Sequence, residues 1–323
     1  MKMVSAAKLR RAQERALSYR PYSQMLTNVL RSLVSRAEVY DSATGELSHP
    51  LLIQRPEKTV MLIVVTGDKG LAGAFNTNIN KAAVQFLATH ADKNIDMVCI
   101  GRKGRDFMKR RYPTGQPGQE RAGAAQLVGE YVNILRQVSM TDAVEMANGI
   151  IERYTKEEIV AVYLMYNEFK SVISQRLVVT RILPVVEIGV ADVTESHEPT
   201  KEEKEKAKEA ASRAGVSVDE PSTAAADRAA AEFGTSQVDY IYEQPAPMLF
   251  RALMPKYVAG DVFRAMLESV ASEHAARMTA MESATNNARD MIDRLTLTMN
   301  RARQAKITTE IIEIVSGAAA ASG

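Results

Sequence analysis

The stretch DVFRAMLESVASEHAARMTAMESATNNARDMIDRLTLTMNRARQAKITTEIIEIVS, residues 261–316, runs from Gly260 to Gly317 with neither proline nor glycine in 56 residues. At about 1.5 Å per residue this predicts a helix of roughly 84 Å. A seam spaced four and three marks much of it: Phe263, Leu267, Val270, His274, then Met281, Ala284, Ala288, Met291, Leu295, and later Ala302 and Ala305. Arg277 and Thr298 fall off that pattern. Helices of this length seldom stand alone in water, so a coiled-coil partner is expected. The seam's alanines and methionines permit close approach but clamp weakly.

The natural partner is the N-terminal segment. Residues 3–38 read as helix, with apolar positions at Tyr22, Met25, Leu26, Val29, Leu30, Leu33 and Val34. Pro21 predicts a kink or break at about Arg20. Residues 1–40 carry eight Lys/Arg (Lys2, Lys8, Arg10, Arg11, Arg15, Arg20, Arg31, Arg36) against Glu14 and Glu38. That local excess implies an acidic partner.

Between the helical ends the pattern changes. TVMLIVVT (59–66) is a β-branched run ending at Gly67, and IDMVCI (95–100) ends at Gly101; both read as strands buried on two faces. IVAVYLMYN and VISQRLVVTRILP read as further strands. Helices are expected over 77–90, 102–111 and 125–155. Alternating strands and helices predict a central α/β domain of Rossmann-like type. The expected architecture is thus an antiparallel coiled coil of N- and C-terminal helices carrying that domain. The boundaries are a shaft helix over 1–55, the α/β domain over 56–194, a charged, alanine-rich flexible insertion over 195–237, and a foot segment with the long helix over 238–323. Residues 195–236 are expected to form solvated short helices without material for a core.

Bulk properties exclude several classes. The 323-residue chain is 46% hydrophobic and 25% charged, lacks tryptophan and has a net charge of +2, so it is not a general polyanion binder. One cysteine, Cys99, permits no internal disulfide and fits a reducing compartment. The longest apolar runs are too short to span a membrane, and the N-terminus lacks a signal peptide's apolar core, so a soluble cytoplasmic chain is expected.

TGDKGLAGAFN (66–76) places Gly67, Gly70 and Gly73 after a strand, yet GxxxxGK[ST] is absent, so a structural turn is expected and no nucleotide. The basic clusters at 102–105 and 109–111 have only Phe107 and Tyr112 beside them, too few stacking rings for nucleic acid. His49, His90, His197 and His274 are scattered away from metal-ligand spacing, so no metal or other cofactor is expected. No nucleophile–base set stands out.

Five segments together carry a resemblance: AAKLRRAQ (6–13), RPY (20–22), TGDKGLAGAFN (66–76), SEHAARMTAMESATNNA (272–288) and NRARQAKITTEIIEIVSGAAA (300–320). They resemble the gamma subunits of F-type rotary ATP synthases, over all of the chain except 195–236. The resemblance implies a non-catalytic rotor shaft that threads three alpha and three beta subunits. Its α/β domain would sit beside the epsilon subunit on the c-subunit ring, and it would reach the membrane only through that complex, on the cytoplasmic face of a bacterial inner membrane. Proton entry supplies roughly 2.3 kcal/mol per charge per 100 mV, work that a freely flexing shaft would lose.

On matching positions, the resemblance implies beta-subunit contacts for Lys2, Lys8, Arg10 and Arg11, and for Arg303, Gln304, Thr308 and Glu310. VDYIYEQ (238–244) matches the foot, giving Tyr240, Tyr242 and Glu243 as contacts to the c ring and epsilon. Two departures follow. MKMVSAAKL begins about two dozen residues into the family's first helix, so the start is expected to be misassigned. Residues 195–236 enlarge a short region without the cysteine pair of chloroplast members, and are expected to hinder backward rotation and limit ATP hydrolysis. The competing class, a coiled-coil adaptor, explains the long helix but not an α/β domain between helical ends.

Overall fold

TVMLIVV forms β1 (Thr59–Val65), and its two faces explain why it is apolar throughout. Val60, Leu62 and Val64 enter one apolar cluster while Met61, Ile63 and Val65 enter another, as in a strand covered on both sides. The computed structural model describes residues 1–36, 49–117, 121, 123–186, 188–189, 192–216 and 242–321. The sheet adds β2 (Asn94–Ile100), β3 (Ala125–Tyr131), β4 (Ala161–Phe169), β5 (Gln175–Leu183) and β6 (Asp192–His197), in the order β3-β2-β1-β4-β5-β6. β1 pairs in parallel with β2 and β4, and β2 with β3, while β5 and β6 are antiparallel. Helices α2 (Phe75–Thr89) and α3 (Arg102–Lys109) cover one face. The other face is covered by α4 (Met140–Thr155), α1 (Lys2–Arg36) and the long α6 (Ala246–Ala321). The Rossmann-like α/β domain with terminal helices packed together is therefore present.

Three elements differ from the sequence expectation. The helix expected over 125–155 is β3 followed by α4. AQLVGEY pairs with β2 from Ile95↔Ala125 onward, and α4 begins only where the Ser139 hydroxyl accepts a hydrogen bond from the Asp142 amide at 3.1 Å. Residues 195–216 are also more structured than expected. β6 crosses the proposed domain edge, and α5 (Lys201–Arg213) starts with a Thr200/Glu203 capping box. Its Ala207, Ala210 and Ala211 are buried, and Ala211 shares a cluster with Phe169, Ala271, Ala275 and Met278. Alanine suffices here because two helices meet closely. The rest of the expected insertion, from residue 217, lies outside the described residues.

Third, of the expected kink or break at Arg20 the break is absent, and α1 continues as helix through Pro21. Losing one amide donor is outweighed by the burial of Leu26, Leu30 and Leu33 beyond it. Tyr22 and Met25, on the expected apolar face, are exposed instead. α1 lies antiparallel on α6: Lys2 Nζ is 2.6 Å from a Glu282 carboxylate oxygen, Arg20 is 4.0 Å from Glu268, and the Tyr19 ring meets Phe263 edge-on at 4.9 Å.

α6 outruns its partner. Its buried side ends at Glu282, and among the described residues none from 283 onward is buried. The remaining segment to Ala321 extends about 58 Å. The seam is therefore covered through Met281, while Ala284, Ala288, Met291, Leu295, Ala302 and Ala305 are exposed.

Candidate functional site

The projecting part of α6 displays large apolar side chains to solvent: Met291, Ile292, Leu295, Leu297, Met299 and, nearer the tip, Ile307, Ile311, Ile312, Ile314 and Val315. Ile314 is 71% exposed. Apolar groups on several sides of one unaccompanied helix form a surface that other molecules would cover. Interspersed on it are Arg303, Gln304, Thr308 and Glu310, all exposed. Thr308 donates to the Gln304 carbonyl at 2.9 Å, and Glu310 lies 3.9 Å from Lys306. Both interactions are local to the helix and leave one side of each residue open.

The basic group on α1 sits elsewhere. Lys8, Arg10 and Arg11 are exposed, whereas Lys2 is half-buried against Glu282. Because Lys2 lies beside Glu282, the basic group and Arg303 are separated by roughly 30 Å along α6. The two polar groups therefore lie apart along one rod. At the foot, Tyr242 packs partly buried against the main core and Glu243 is exposed. Tyr240 lies outside the described residues.

Where the rod leaves the body, Glu282 is paired with cations on two sides. Lys2 reaches one carboxylate oxygen at 2.6 Å and Arg213, at the end of α5, reaches the other at 3.1 Å. Arg213 also donates to Asn286 Oδ1 at 3.0 Å. The Lys2 ammonium, assisted by Arg213, holds the Glu282 carboxyl below the usual carboxylate range. This three-part contact escaped the sequence reading, which gave Lys2 to a beta-subunit contact and placed Arg213 in a solvated short helix.

The glycine-bearing turn after β1 is tied to the start of α3. Asp68 Oδ1 accepts from the Arg102 amide at 3.0 Å and the Asn133 amide at 3.1 Å. The Lys103 amide donates to the Gly67 carbonyl and the Gly104 amide to Thr66 Oγ1. The amides at the start of α3 that could cradle an anion are already occupied. Cys99 is buried in β2, and burial raises its thiol pKa to about 12, so it is inert core. Among the described residues no cluster of His, Cys, Asp and Glu could hold a metal, and no helix is long and apolar enough to cross a membrane.

A family profile described as ATP synthase matches residues 1–321. The ATP synthase gamma chain of Solibacter usitatus is 45% identical over 321 residues, covering 99% of this chain and 92% of its own. The chain belongs to the ATP synthase gamma chain family. The gamma chain of Pelotomaculum thermopropionicum is 40% identical over 320 residues, with 99% and 91% covered. Residues 195–236 fall inside these matches, so the segment set apart in the sequence reading belongs to the likeness. Among solved structures, the central stalk and c-ring structure of Tetrahymena thermophila mitochondrial ATP synthase aligns with a TM-score of 0.53 at 22% identity. That alignment covers 88% of this chain and 97% of the other, and it supports the fold.

Proposed function

We propose that this gamma chain is the central rotor shaft of a proton-translocating F-type ATP synthase, coupling rotation of a c ring to ATP synthesis in a hexamer of three alpha and three beta subunits. The observation that carries this reading is α6, which leaves the body at Glu282 and continues about 58 Å with apolar and polar groups exposed. A chain of this family with such a rod is built to be surrounded. The subunit is non-catalytic; its work is mechanical. Ten exposed large apolar side chains give contact without strong directionality, which suits a bearing.

Lys8, Arg10 and Arg11, with Lys2 at their edge, form the lower contact to acidic beta-subunit loops; Arg303, Gln304, Thr308 and Glu310 form the upper one. Exposed charge pairs contribute only about 0 to 1 kcal/mol each, so they can break and re-form at every step. Tyr240, Tyr242 and Glu243 are the contacts this reading gives to the c ring and epsilon. This reading places the chain on the cytoplasmic face of a bacterial inner membrane, held there through the complex. Residues 195–236 restrain backward rotation. The test is to tag the chain in its host, solubilise membranes gently and weigh the complex. One copy with three each of two larger subunits and ATPase activity is expected; a lone chain or unrelated partners would overturn the reading.

A further inference from the structure

Open α/β sheets bind ligands in the crevice beyond the strand ends where the strand order reverses. Here that point lies between β1 and β4, which neighbour each other in the order β3-β2-β1-β4. The crevice is filled by the shaft itself. Ser272 Oγ donates to the Asn167 carbonyl near the end of β4 at 3.2 Å. Glu273 stands over the turn that follows β1, and a β-carbon built on Gly67 would lie 2.6 Å from its carboxylate oxygen. Arg277, one turn on, pairs with Glu273 and donates from Nε and Nη2 to the Gly70 carbonyl, both at 3.3 Å. The turn is pinned from below, since Asn76 Oδ1 accepts from the Gly67 amide at 2.8 Å and Asp68 is tied to α3.

We infer that Glu273 and Arg277 form a torque-bearing joint, by which α6 grips the turn at residues 67–70 and makes the α/β domain and the shaft rotate as one body. This rests on the rotor reading. Ser269, Ser272 and Glu273 are all buried at this crossing, and the fixings fall on consecutive turns of one helix. A grip set off the axis of the helix pair resists twist about that axis, which packing along the axis alone resists weakly. Arg277 and Glu273 are positioning residues here; neither touches a substrate.

The test uses the whole complex in inverted membrane vesicles, comparing ATP-driven proton uptake with ATP hydrolysed. Arg277→Ala should keep hydrolysis within about twofold while protons moved per ATP fall at least about threefold; an unchanged ratio in an assembled complex would overturn the joint. A purely structural defect would lower both rates together. Should Arg277→Ala fail to assemble, a cysteine pair decides. A β-carbon on Gly73 would lie 3.6 Å from that of Ala280, within disulfide range, and buried Cys99 does not compete. Oxidising Gly73→Cys/Ala280→Cys should leave both rates within about twofold of the reduced form. Reversible inhibition on oxidation would show that domain and shaft move against each other, contrary to the inference. Absence of alpha, beta and c subunits from the wild-type complex would instead remove the rotor reading.

Discussion

The Tyr19 hydroxyl oxygen lies 2.5 Å from the place a β-carbon would take at Gly260, so α1 and α6 reach their observed spacing only because residue 260 has no side chain. Gly260→Ala improves helix propensity by up to about 1 kcal/mol but drives a methyl group into a buried hydroxyl. Net destabilisation of about 1–3 kcal/mol is expected. Adding Tyr19→Phe should restore most of it, a coupling that urea unfolding of the four chains in a double-mutant cycle would measure. Additive effects would show that the two residues do not meet.

At the exit of the rod, Arg213→Ala should release the end of α5 without disturbing the sheet. Hydrogen exchange over residues 201–213 is expected to rise about fivefold or more, as a loss of about 1 kcal/mol of local stability implies. Unchanged protection would mean that the buried alanines alone hold α5. Because Glu282's carboxyl is held low in the folded state, this contact is intact above the ordinary carboxylate pKa and is lost as pH falls through the lowered value. Salt should weaken it in parallel.

Deleting residues 198–234 removes α5 with its grip on Glu282 and Asn286. ATP hydrolysis by the complex is expected to rise more than synthesis. If both rates stay as they were, the segment is a passive spacer.

His274 supplies a second pH dependence. Burial, with Arg277, Lys8 and Lys69 nearby, lowers its pKa to about 4, and Arg277 Nη1 stands 3.2 Å from its Nδ1. Between that value and the ordinary histidine pKa, the unfolded chain binds a proton that the folded chain does not. Stability therefore falls as pH drops from about 6.5 towards about 4. His274→Gln should flatten the change in urea midpoint between about pH 7 and about pH 5.5, removing about 1 kcal/mol of it. Equal slopes in the two chains would exclude His274 as the source.

The turn after β1 lacks the phosphate-loop motif and is tied to α3, whose first amides are taken, so no nucleotide affinity is expected. Calorimetric titration of the chain with magnesium ATP should give no binding heat, and saturable binding would contradict the occupied amides at α3.

β1 and β2 were legible in sequence because both of their faces are buried, which forces unbroken apolar runs. β3 was not. As the edge strand it buries chiefly Leu127, with Gln126 paired to Asp96 beneath it, and so alternates too weakly to be told from helix. α5 was misjudged because alanine adds little hydrophobic signal yet permits close helix contact. The grip of Arg277 on Gly70 joins residues 207 positions apart. Its one trace in the sequence was an arginine falling off the pattern of the seam.

The unbroken course of α6 has an angular consequence. Between Glu282 and Arg303 nothing but helix links the body to the outer polar group. Each residue advances the helix by about 100°. Deleting one residue there would turn Arg303, Gln304, Thr308 and Glu310 by nearly a third of a circle relative to the domain, with every side chain kept. Deleting seven would shorten the rod by about 10 Å yet return those residues to within about 20° of their heading. Residue count between body and tip thus sets the phase of the machine, and length changes there are tolerated in sevens far better than in ones.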